Sequence, residues 1–152
     1  MRSLILTACL LSASPALAVK PAPEISAAAD GLAVGGYDTV AYFRDGEPAR
    51  GSNHYQLSYK GAVWRFASAD ALRQFQERPD AYAPQFGGYC AWAVSQHYLA
   101  PGDPLQWKIV DGKLYLNANA RAKQLWEGDQ AAAIERGHAN WPAVLTDNQD
   151  NQ

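Results

Sequence analysis

Cysteine is nearly absent from this chain, which holds only Cys9 and Cys90. Two such distant thiols, with no Cys-x-x-Cys spacing, exclude a disulfide framework and a self-contained dithiol redox centre. Basic clusters are missing as well. The chain carries 13 basic and 15 acidic side chains, for a formal charge of −2, and offers no electrostatic footprint for nucleic acid. No apolar run reaches the roughly 20 residues that a membrane-spanning helix needs. There is no repeat, phosphate loop, pair of catalytic glutamates or serine-histidine-carboxylate order, so no familiar reaction class announces itself.

The first eighteen residues have the pattern of a secretory leader. Arg2 gives a positive start, Leu4 to Leu11 are mostly apolar, and Ala16-Leu17-Ala18 offers a small-x-small cleavage site. Cleavage there removes Arg2 and Cys9, makes the charge one unit more negative, and leaves Cys90 as the single thiol. Leu6-Thr7-Ala8-Cys9 also resembles a lipoprotein box, an alternative that anchors the protein through Cys9. The expected organisation is a signal peptide over 1–18, a linker over 19–30 rich in Ala and Pro, one domain over 31–145, and a disordered polar tail over 146–152. The expected location is the periplasm.

Residues 54–67 alternate as a β-hairpin about Lys60-Gly61, with Tyr59 opposite Ala62, Leu57 opposite Trp64 and Tyr55 opposite Phe66. A second hairpin turns at Asp111-Gly112, a favoured type I′ pair, with Trp107, Ile109, Leu114 and Leu116 on one face. Lys108, Val110, Lys113 and Tyr115 form its other face, expected to be partly wet. Ser68 caps a helix carrying Leu72 and Phe75, and Pro79 lies just past its end. Another helix is expected from Tyr89 to about Tyr98. The C-terminal part reads as helical over 120–126 and 130–139, broken by Gly128 and recapped by Asp129. Hairpins and helices in separate blocks predict a small α+β domain with two antiparallel hairpins and three to four short helices.

Several segments stand out in order and spacing: Gly36 to Phe43, Tyr59-Lys60-Gly61, Trp64 to Ser68, Phe75 with Pro79 and Tyr82, Pro84 to Ala91, Asp111 to Asn117, and Trp141-Pro142. Taken together they resemble the YHS domain family, in its exported bacterial (seleno)protein branch. The first block has Thr39 where the family usually has proline. The metal-binding branch places cysteines at positions that fall here on Ala41, Ala67 and Ala71, so that site has no ligand atoms. The resemblance implies an accessory or ligand-binding module, and by analogy alone transition-metal handling, with copper as the candidate cofactor. If relatives carry selenocysteine, position 90 is its natural place.

The candidate site centres on Gly87, Gly88, Tyr89 and Cys90, with Tyr37 and Asp38 as further ligand-binding candidates. Cys90 in the first turn of a helix would sit near unpaired N–H groups that favour thiolate, making it a candidate reactive or catalytic thiol. Burial and bonding to a partner chain are the other readings. Asp38 reads equally as a functional carboxylate or a helix cap. Cys90 and His97 are weak metal candidates: on one helix they share a face but stand about 10 Å apart along its axis. His54 and His138 read as surface histidines. The rings, Trp64, Phe66 and Trp141 among them, read first as core, with Tyr37 and Tyr89 as the exceptions. The functional expectation is an exported binding module without its own turnover. Its partner is an unidentified small molecule or periplasmic protein, with thiol redox work at Cys90 and copper handling as alternatives.

Overall fold

A computed structural model describes residues 20 to 147 of the chain. The leader at 1–18, the Cys9 anchor and tail residues 148–152 lie outside the described residues. The architecture is α+β. Strands β1 (Ser52–Tyr59) and β2 (Ala62–Phe66) form one antiparallel hairpin, and β3 (Asp103–Val110) and β4 (Lys113–Asn117) form the other. Around them lie α1 (Thr39–Arg44), α2 (Ala69–Glu77), α3 (Pro79–Tyr82), α4 (Ala91–Ser95), α5 (Ala120–Gly128), α6 (Gln130–Asn140) and α7 (Val144–Asp147). Three of these seven have seven or more residues.

Both hairpins turn where two successive residues take positive φ: Lys60 at 48° with Gly61 at 78°, and Asp111 at 50° with Gly112 at 71°. That is the turn whose twist matches paired strands. Tyr59 pairs with Ala62 and Leu57 with Trp64, as expected, but a bulge between Ser52 and Gln56 breaks the expected Tyr55–Phe66 pair. Phe66 faces Ser52 instead, and Tyr55 is left exposed. In the second hairpin Trp107 meets Leu116 and Ile109 meets Leu114.

Strand β4 divides the interior. Leu114 and Leu116 pack into one cluster with Trp64, Phe66 and Phe75. Tyr115, pointing the other way, enters a second cluster with Phe86, Val94 and Trp126. The face expected to be partly wet is so at Lys113, which is exposed, and at half-buried Lys108 and Val110, but Tyr115 is buried, its ring 5.2 Å from that of Trp126 on α5. A strand flanked by two cores reads as alternating only if one flank meets water.

Caps set the helix starts. Ser68 Oγ accepts the Ala71 N–H at 3.1 Å, and Asn119 Oδ1 accepts that of Ala122 at 2.8 Å. Each is worth about 1 kcal/mol. Asp129 precedes α6 but makes no such bond; its carboxylate pairs with Arg136 at 2.8 Å. The helix expected over 89–98 is the five-residue α4, because His97 turns left-handed at φ 65° and sends Tyr98 outward.

The expected linker is packed. Ile25 is buried in the first cluster, and Ala22 N–H donates to the Leu145 carbonyl at 2.7 Å. Residues 20 to 28 thus form a strap across the domain, tying its start to α7. Of the expected tail, Thr146 and Asp147 belong to α7.

Candidate functional site

Pro84 leads into a tight turn over Gln85–Gly88, in which Phe86, Gly87 and Gly88 take φ of 56°, 61° and 82°. This left-handed run folds the backbone into a corner that the strap crosses at contact distance. A Cβ on Gly87 would run into the Glu24 carbonyl oxygen. Ser26 N–H donates to the Gly87 carbonyl at 2.8 Å, and Tyr89 Oη donates to the Pro23 carbonyl at 2.9 Å. The close approach that two glycines permit is used by the chain itself.

On one flank of this crossing lies a groove of about 330 Å³. Tyr59 and Lys60 come from the first hairpin, Asp80 from α3, Gln85 and Gly87 from the glycine corner, and Trp141 from beyond α6. Glu24 and Ile25 of the strap close it, and Phe86 and Pro84 contribute to its floor. Lys60 Nζ meets Glu24 Oε1 at 2.6 Å, and Tyr59 Oη donates to Asp80 Oδ1 at 3.2 Å. Burial, opposed by Lys60 and aided by the bond to Asp80, raises the Tyr59 phenol above its ordinary value and keeps it a donor. A larger hollow of about 810 Å³ on the strap is walled mainly by residues 20 to 28, with Tyr89 and Pro101.

The site residues expected from sequence do not meet in one cavity. Gly87 lines the smaller groove and Tyr89 the larger hollow, while Gly88, Cys90, Tyr37 and Asp38 line neither. Gly88 is buried, its carbonyl accepting the Gly102 N–H at 3.1 Å. Tyr37 is half-buried under the Arg50 guanidinium, 4.6 Å from its ring centroid.

Cys90 is the N-cap of α4 and 1 % exposed. Its sulfur accepts the Ala93 N–H at 3.5 Å and donates to Asn117 Oδ1 at 3.6 Å. A reactive thiolate needs access that this sulfur lacks in the folded state. His97 lies past the end of α4, exposed, with Nε2 3.1 Å from Asp147 Oδ2. It therefore shares no helix face with Cys90.

Asp38 is wholly buried and caps α1. Oδ1 accepts from Val40 at 2.9 Å and from Ala41 at 3.4 Å, while Oδ2 accepts the Ala67 N–H at 3.0 Å. Ala41 and Ala67, two of the three positions that the resemblance suggested for metal-binding cysteines, instead donate their N–H groups to this carboxylate. The third, Ala71, is buried and donates its N–H to Ser68. Methyl groups supply no ligand, so the residues present do not fit copper or another transition metal at this corner. Among the described residues, no three His, Cys, Asp or Glu side chains converge as ligands would.

Sequence reasoning missed Glu24, Tyr59, Lys60, Asp80, Gln85 and Trp141 as a set. Tyr59 and Lys60 were legible as a turn, and Glu24 sits alone as an acid in an Ala-Pro stretch. What joins them is the strap crossing, which no spacing reveals.

Compared with known proteins, the chain matches no family model, and no characterised protein or solved structure matches it significantly.

Proposed function

We propose that this protein is an exported accessory module of the YHS type that binds a small ligand in the groove beside Gly87 and carries no turnover of its own. One observation carries the reading. A hollow of about 330 Å³ is walled by four separate parts of the chain and mixes rings with a phenol, two carboxylates, an amine and a carboxamide. Convergence of such groups from separate segments is one mark of a ligand site, and the volume lies at the small end of the size range. The glycine corner, singled out by its sequence, is one edge of the same groove. Redox work at Cys90 has less support, because its sulfur is enclosed and bonded to α4 and Asn117.

A thermal-shift screen of small polar metabolites tests the reading. A ligand at a hundred times its Kd raises stability by about 2.7 kcal/mol. Filling the groove with Gln85→Trp is expected to abolish that gain. A ligand that stabilises wild type and Gln85→Trp equally would place binding elsewhere and overturn the proposal.

A further inference from the structure

The geometry points to a compact organic cation, an ammonium or quaternary ammonium group, as the ligand class of this groove. The inference rests on the groove reading above and deepens it. Three rings line the groove: Tyr59, Phe86 and Trp141. Phe86 is almost fully covered and backs Trp141, the ring centroids standing 6.0 Å apart, while Trp141 itself remains partly open. Ring faces attract cations, and tryptophan does so best. The chain already uses this interaction at the groove's edge, where Lys60 Nζ lies 5.6 Å from the Tyr59 centroid.

Charge decides the sign of the ligand. Lys60 is matched by Glu24 at 2.6 Å, which leaves neither available as a net charge. Asp80 has a single hydrogen bond, from the neutral Tyr59 phenol at 3.2 Å, and joins none of the ion pairs among the described residues. Asp80 is exposed, and with Glu24 it sets two carboxylates against the single Lys60, so the groove carries one net negative charge along with the partly open Trp141 ring. An anion would meet that net negative charge as a like charge, whereas a cation would be drawn to it. A cation satisfies both walls at once. The volume of about 330 Å³ suits a compact ligand at the small end of the usual range.

The test titrates the full chain with choline and with its neutral isostere 3,3-dimethyl-1-butanol, following tryptophan fluorescence and heat. Choline is expected to bind at least tenfold more tightly than the isostere, with Asp80→Asn erasing that difference. Lys60→Asn, which suits the left-handed backbone and releases Glu24, is expected to tighten choline binding severalfold. Circular dichroism confirms that each variant is folded. Equal affinity for choline and the isostere overturns the cation inference and leaves the groove reading standing. Preference for choline that survives in folded Asp80→Asn overturns it too, since the charge would then act elsewhere. Binding of neither probe to the wild type overturns the inference. The groove reading falls only on the Gln85→Trp result.

Discussion

The sulfur of Cys90 lies 3.6 Å from Oδ1 of Asn117, an oxygen that also accepts the Trp92 N–H at 3.0 Å. Through this shared acceptor the buried end of β4 holds the first turn of α4, and the thiol serves as a helix cap. A structural cysteine should then be silent toward reagents. In a Cys9→Ser background, labelling of Cys90 by a soluble disulfide reagent is expected only as fast as the protein unfolds. Rapid labelling under native conditions would return the thiol to the list of reactive groups.

Asp38 is the most heavily bonded buried side chain at the start of α1. Asp38→Ala leaves three backbone N–H groups without their acceptor and is expected to cost about 2–3 kcal/mol in urea unfolding. Asp38→Asn, which keeps one capping oxygen, should lose less. A loss below about 0.5 kcal/mol for the alanine variant would contradict the capping role.

Gly87 is required by the strap above it. Gly87→Ala adds a left-handed non-glycine residue, worth about 1–3 kcal/mol, and a collision with the Glu24 backbone. The expected outcome is release of residues 20 to 28, seen as accelerated hydrogen exchange at the Ser26 amide. Unchanged protection of that amide would show that the strap does not depend on the corner.

These three positions mark what the sequence could and could not disclose. Turn chemistry is local, so Lys60-Gly61 and Asp111-Gly112 announced both hairpins and most of their register. The bulge before Gln56 is not local, and Tyr55 lost its expected partner to it. Tyr115 was expected at a wet face because α5, which covers it with Trp126, lies later in the chain. The helix begun by Cys90 stops at Ser95 without a glycine or proline to signal it; His97 adopts the left-handed turn that ends it. The strap was hardest to see. Its alanines and prolines read as disorder, whereas Ile25 and the backbone bonds at Ala22 and Ser26 hold it down. The groove, created by that crossing, was legible only at Gly87.

His138 should give the fold a measurable acid sensitivity. Its ring rests 5.1 Å from Phe86; partial loss of solvent, then the Lys113 charge, lowers its pKa below the ordinary 6.5. The unfolded chain therefore binds this proton more readily than the folded one. The contribution is fully present above about pH 6.5 and is lost as pH falls toward the lower folded value. Replacing the ring by His138→Phe is expected to flatten the stability profile between neutral and mildly acidic pH. An unchanged slope would remove His138 as its source.

The most direct measurement is amide and indole chemical-shift mapping during a choline titration. The account predicts that the Trp141 indole N–H and the amides of Lys60, Asp80 and Gly87 move together, while those of Cys90 and Asn117 stay still. Shifts centred on Cys90 and Asn117, with Trp141 and Gly87 unmoved, would contradict it.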